Sequence, residues 1–137
     1  MDLQNLAYAL VQVAHNLGAA SVVGGATAAL WPSRPAAPAR RRLAWLVLAG
    51  WTVQGVSGAG FGTVSYINYG AFPDLHGIAV AALLVKIACA TTGFGLAAAT
   101  LRWGDRWPEA RNDAVWAGLV VVAVTALSAA AFLRWFA

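Results

Sequence analysis

The sequence predicts an all-α integral membrane protein, a four-helix bundle that crosses the bilayer up, down, up and down. Of its 137 residues, 61% are apolar and 10% are charged, whereas soluble domains carry about 25% charged residues. About 20 apolar residues are needed to cross the hydrocarbon core. Four runs of about that length follow one another in a single predicted domain, at 6–30, 43–62, 75–101 and 114–136.

The first apolar run is predicted to be a retained helix and not a cleaved signal peptide. A signal peptide begins with basic residues and has an apolar core of about 7–15 residues. The run at 6–30 is longer than that, follows Asp2, and carries Gln12, His15 and Asn16 in its middle. We therefore count it as the first membrane span.

The arginines predict the orientation of the four spans. With alternating spans, the first and third connections share one side of the membrane, and they contain Arg34, Arg40, Arg41, Arg42, Arg102, Arg106 and Arg111. The other side has only Arg134. Because short loops rich in Lys and Arg stay in the cytoplasm, both termini are expected outside, with the chain in the inner (plasma) membrane. The net charge of +4 is thus a topology signal, and we expect lipid and not nucleic acid around the protein.

The second span is rich in glycine, with Gly50, Gly55, Gly58, Gly60 and Gly62. Glycine lets helix backbones approach closely in a membrane, so tight packing is one explanation of this composition. The other explanation is that the absent side chains leave room for a flat cofactor or a quinone ring, with Gly58 as a candidate cofactor-binding residue. The spacing of the glycines does not distinguish the two.

His15 and Lys86 are the two ionisable residues predicted at mid-membrane depth. An ionisable group at the centre of a membrane helix costs about 2.5–3.5 kcal/mol even on a mild scale. Counted along two helices that run in the same direction, at 1.5 Å per residue, the two residues lie within roughly 3 Å of the same depth. We expect both to face one interior site, with Gln12 beside His15 as a further candidate cofactor-binding residue. The alternative is an interhelical hydrogen bond that only ties the helices together.

Two segments resemble a known family. The segment VAHNLGAASVVGG, residues 13–25, has a histidine followed by small residues and Val-Gly-Gly, and in residues 76–102 a lysine follows several apolar residues and an arginine closes the segment. These segments resemble the first and third helices of the four-helix membrane core of copper-resistance D (CopD) proteins. The first is also similar to the histidine-bearing helix of HemJ-type protoporphyrinogen oxidases.

The resemblance implies a haem- or porphyrin-related site that uses His15 and Lys86. On this hypothesis haem b is the cofactor, His15 is an axial ligand to its iron, and Lys86 is a catalytic residue that pairs with a propionate or a reacting oxygen. The function would be electron transfer or tetrapyrrole oxidation, with a quinone or a redox protein as partner.

Two other functions are open at this point. One is a non-catalytic accessory or structural subunit of a larger membrane complex or of a homo-oligomer. The other is copper resistance or transport, although copper prefers soft ligands and the chain offers only Met1 and Cys89. On the outer side, Asp74 and His76 supply too few ligands for a metal site, and we expect a solvated helix start there with Asp74 near the N-cap.

Overall fold

The structure is a computed structural model that describes residues 3–31 and 35–137. This part of the chain is helical and contains no strand, which confirms the predicted all-α class. It forms four long α-helices and one short 3-10 helix: α1 (Leu3–Ala29), α2 (Ala37–Tyr69), α3 (Ile78–Trp103), η1 (Gly104–Arg106) and α4 (Glu109–Phe136). Met1, Asp2 and Arg34, which enter the sequence arguments, lie outside the described residues.

Three of the helices are long and apolar enough to cross a membrane. They are α1, α3 extended through η1, and α4, which agrees with three of the four predicted spans. Helix α2 has 33 residues but is less apolar, because arginines occupy its first turns and glycines and polar residues such as Gln54 and Ser57 occupy its middle. A membrane span at 43–62 therefore stays a prediction.

Helix α2 extends beyond the predicted span at both ends. It begins at Ala37 with Pro38 in its first turn, where proline removes no helical hydrogen bond, so part of the arginine-rich connection is helical. It continues to Tyr69, and Gly70 ends it in the left-handed conformation at φ 69° while donating its N–H to the Tyr66 carbonyl. The span was predicted from apolar length, whereas the helix ends where proline and glycine set its boundaries.

The helices form a ring in which each packs mainly on two neighbours. Helix α1 packs most extensively on α2, and α3 on α4, while smaller contacts join α2 to α3 and α1 to α4. The start of α1 meets the end of α2, where Gln4 Nε2 donates to the Tyr69 hydroxyl at 2.5 Å. Helices α1 and α3 therefore face each other across the centre of the ring.

The two halves of the bundle are packed differently. What we call the closed half consists of residues 18–29, 37–51, 93–103 and 109–123, and it contains the largest fully buried side chains, Trp116, Leu119 and Val47. The open half consists of residues 3–17, 52–69, 78–92 and 124–136, where every described buried residue is a serine or an alanine. Large side chains thus fill the closed half and leave the interior of the open half to small ones.

Glycines permit close helix contacts in the closed half. A Cβ atom on Gly50 would lie 2.8 Å from Val22 Cγ2 and 3.0 Å from the Gly18 carbonyl oxygen, and a Cβ on Gly93 would overlap the Trp51 indole. Around Gly55 and Gly58 the space is open. Tight packing therefore accounts for Gly50, but it does not account for the two glycines that follow it on α2.

Candidate functional site

The side chains of His15 and Lys86 meet at the centre of the ring. Lys86 Nζ lies 3.1 Å from His15 Nε2, and both residues are half-buried. Since α1 and α3 are not main packing partners, this hydrogen bond reaches across the bundle at the level where the closed and open halves join. The structure thus brings together the two residues that were expected, by counting, to share one depth.

A hydrogen-bond chain fixes the tautomer of His15. Its Nδ1 lies 2.7 Å from Ser57 Oγ, and the Ser57 hydroxyl donates to the Val53 carbonyl at 2.5 Å. A hydroxyl has a single hydrogen, so Ser57 Oγ accepts the hydrogen bond from His15 Nδ1–H. Nε2 then carries the lone pair that accepts from the Lys86 amine. The imidazole in this chain is neutral, a tautomer assigned from the hydrogen-bond network.

Helix α2 supplies the other contacts of His15. Gln54 Nε2 donates to the His15 carbonyl at 2.5 Å, and the Phe61 ring stands edge-on to the imidazole with ring centroids 5.6 Å apart. Gln54, Ser57 and Phe61 are three to four residues apart and so occupy successive turns of one helix face. The sequence predictions did not include these three residues. The spacing of Gln54 and Ser57, two polar residues three apart in an apolar run, is the signal that could have found them.

Trp51 packs on α3 about two helical turns from Lys86, on the side of the closed half. Its indole packs on Gly93, which lies seven residues after Lys86 and so on the same face of α3. Trp51 is only 4% exposed. Toward the open half, by contrast, the residues buried on the same helices are Ser57, Ser65, Ala79 and Ala82. The large buried side chains near the His–Lys pair therefore lie on the side of the closed half, while the partly buried Phe61 ring contacts His15 from the open half.

Gln12 and Gly58, the remaining predicted site residues, are exposed. Gln12 is exposed and donates to Asn16 Oδ1 on its own helix at 2.7 Å, and Gly58 is exposed with open space around it. His76 Nε2 and Asp74 Oδ1 are 3.4 Å apart at exposed positions outside the bundle. Among the described residues, none of these four hydrogen-bonds to His15 or Lys86.

At this site the pair offers a cofactor one imidazole nitrogen and one amine. Among residues 3–31 and 35–137, no three His, Cys, Asp or Glu side chains lie together as a metal site requires. A porphyrin supplies its own nitrogens to iron and takes only axial ligands from the protein, so one histidine is sufficient. The Nδ1–H of His15 is held by an oxygen, as the second ring nitrogen of a metal-ligating histidine usually is. His15 Nε2 is occupied by Lys86, so iron would take the place of the amine.

The fold and the site define a class of protein: an α-helical bundle with three helices able to cross a membrane and a hydrogen-bonded His–Lys pair at its centre. No family model, curated protein or solved structure matches the chain. The resemblance to copper-resistance D and HemJ-type proteins stays a prediction.

Proposed function

We propose that this chain is a multi-spanning membrane protein that binds haem b or a related porphyrin at His15 and Lys86 and serves electron transfer or tetrapyrrole oxidation. The observation that carries the proposal is the oriented imidazole, with Nδ1–H held by Ser57 and the Nε2 lone pair directed to the centre of the bundle. A neutral imidazole in this orientation is the form in which histidine ligates iron.

His15 and Lys86 have separate roles in this proposal. His15 Nε2 is the axial ligand, and Ser57 holds the ring in position. A lysine ammonium in an apolar setting needs an anion, and none of the four apolar runs at 6–30, 43–62, 75–101 and 114–136 contains Asp or Glu. Lys86 would therefore pair with a carboxylate that the ligand brings, a propionate. The bound iron supplies one-electron chemistry.

The proposal includes four membrane crossings in the order up, down, up and down, with both termini outside the inner membrane. The position of α2 between α1 and α3 in the ring supports its crossing beside them. Ion pairs support placing the arginine-rich ends on one side, since Arg40 meets Asp113 at 2.5 Å and Arg41 meets Asp105 at 3.4 Å. The positive-inside rule assigns that side to the cytoplasm.

A second candidate function is that of an accessory subunit in a larger membrane complex. The chain from Lys86 through His15 and Ser57 to Val53 links α1, α2 and α3 without any ligand. In addition, the exposed pair Gln12 and Asn16 places amide groups on a helix surface where a neighbouring helix would satisfy their remaining hydrogen bonds.

Purification in mild detergent distinguishes the two candidates. For haem binding we expect a coloured protein with a Soret band, a single haem per chain by pyridine haemochromogen assay, and saturable binding when haemin is added to the colourless form. A protein that stays colourless, does not bind added haemin and co-purifies with other subunits would support the accessory role and contradict haem binding.

A further inference from the structure

A cavity of about 510 Å³ lies at the arginine-rich end of the bundle, where the start of α2, the end of α3 and the start of α4 meet. Its wall includes Arg40, Arg41, Thr100, Trp107, Asn112 and Trp116. Neither His15 nor Lys86 lines it. The cavity is thus separate from the proposed haem site.

Three residues of this wall carry buried polar atoms that have no hydrogen-bond partner in the described part of the chain. They are Arg40 Nε, Trp116 Nε1 and Asn112 Oδ1, and the Trp116 side chain is fully buried. Buried polar groups in native proteins nearly always have a partner. The first two atoms are N–H donors and the third is an acceptor, so a ligand that satisfied all three would offer both acceptor oxygens and a donor.

The charge at this end of the bundle favours an anionic group. Arg40 pairs with Asp113 at 2.5 Å and keeps its Nε–H for another acceptor. Within the described part of the chain, Arg41 makes only longer contacts, of 3.4 Å, to Asp105 and the Leu101 carbonyl. Two carboxylates, Asp105 and Glu109, also line the cavity. Over the whole end the positive charges are in excess, with Arg40, Arg41, Arg42, Arg102, Arg106 and Arg111 against Asp105, Glu109 and Asp113.

The surrounding tryptophans indicate where this end lies relative to a bilayer. Trp31, Trp45 and Trp103 are 62%, 57% and 48% exposed. Trp31 follows the end of α1, Trp45 lies in the third turn of α2, and Trp103 is the last residue of α3. Tryptophan is enriched at the level of the lipid headgroups in membrane proteins. The cavity is therefore at the depth where phosphate groups are most abundant.

We propose that this cavity binds the headgroup of a glycerophospholipid. The phosphate accepts hydrogen bonds from Arg40, Arg41 and Trp116, since arginine matches phosphate oxygens in geometry and charge. A donor group on the headgroup alcohol bonds to Asn112 Oδ1. Phosphatidylglycerol supplies this donor as a hydroxyl and phosphatidylethanolamine as an ammonium, whereas phosphatidylcholine has none. Basic pockets between membrane helices are established sites for lipid headgroups.

The test measures lipid binding by the delipidated full chain in detergent, by native mass spectrometry and by the shift in melting temperature. Phosphatidylglycerol, phosphatidylethanolamine, phosphatidylcholine and inorganic phosphate are each added alone. We expect the first two to bind about tenfold more tightly than phosphatidylcholine, as one extra hydrogen bond to a buried acceptor provides. Inorganic phosphate at the same concentration should leave the melting temperature unchanged.

Two variants and a matched control assign the site. Arg41→Gln should weaken phosphatidylglycerol binding about tenfold, the usual effect of losing a charge-assisted hydrogen bond. Arg106→Gln removes the same charge at the same end but outside the cavity wall, and binding should not change. Asn112→Ala should abolish the preference for phosphatidylglycerol and phosphatidylethanolamine over phosphatidylcholine. If Arg41→Gln does not fold, this variant alone tests the proposal. Equal binding of phosphatidylcholine, equal weakening by Arg106→Gln, or full stabilisation by inorganic phosphate would each overturn the proposal.

Discussion

Ser57 sets the tautomer and the orientation of the His15 imidazole at the centre of the bundle. It accepts a hydrogen bond from Nδ1–H of the imidazole at 2.7 Å and donates one to the Val53 carbonyl, so the histidine presents a lone pair at Nε2. The depth of His15 and Lys86 could be predicted by counting, because helical rise is constant. Ser57 and Gln54 could not, since which face of α2 meets α1 depends on packing between helices.

Ser57→Ala should lower the affinity of the site for haem while leaving the fold unchanged. The imidazole loses the acceptor that orients it, and loss of such a partner typically lowers the affinity of a histidine for its metal by about 10- to 100-fold. Haemin titration monitored at the Soret band measures the change. Ser65→Ala is the matched control, a buried serine on the same helix whose hydroxyl donates to the Ala71 carbonyl. Equal affinity of the Ser57 variant and the control would contradict the role of Ser57.

His15 and Lys86 should also be coupled in stability. Each is the other's hydrogen-bond partner, and residues in direct contact show interaction energies of about 0.5–3 kcal/mol in double-mutant cycles. This interaction energy is obtained from the unfolding free energies, measured in detergent, of the wild type, His15→Ala, Lys86→Met and the double variant. If the decrease in unfolding free energy of the double variant equals the sum of the two single decreases, His15 and Lys86 do not act as a unit.

At the scale of the helices, α2 is the helix whose packing and ends the apolar pattern predicts least well. It packs on both α1 and α3, places Trp51 against Gly93, and extends past its apolar run at both ends. The existence of four helices could be predicted from apolar length alone. The ends of α2 could not, because Pro38 is accommodated in a first turn and Gly70 is the residue that ends the helix.

Gly93→Ala tests the contact between α2 and α3. The added methyl group would overlap the Trp51 indole, and overpacking of this kind costs about 1–3 kcal/mol. The melting temperature in detergent should fall accordingly. Gly95→Ala is the matched control on the same helix, because its Cβ would meet nothing within 4 Å and alanine favours helix over glycine. An unchanged melting temperature of Gly93→Ala would mean that Trp51 is not held against α3.

At the scale of the whole molecule, the bundle has a closed half and an open half with the His–Lys pair where they join. Composition predicts the membrane environment and the arginines predict an orientation, but neither predicts this asymmetry. It arises from where the large side chains fall, with Trp51, Trp116 and Leu119 in one half and small buried residues such as Ser65 and Ala79 in the other.

The orientation can be checked with single cysteines in a Cys89→Ser background. Ala36→Cys lies in the connection between α1 and α2, and Ala71→Cys lies between α2 and α3, both at exposed positions. With both termini outside, an impermeant maleimide added to intact cells should label position 71 and should label position 36 only after lysis. The reverse pattern would invert the orientation, and labelling of both in intact cells would exclude a crossing by α2.

The most direct test of the haem hypothesis is the absorption spectrum of His15→Ala compared with His76→Ala. The two changes remove the same side chain, one from the centre of the bundle and one from an exposed position beside Asp74. If His15 is the axial ligand, His15→Ala loses the Soret band and its bound haem while His76→Ala keeps both. A wild-type spectrum and haem content in His15→Ala would contradict the assignment of His15 as the ligand.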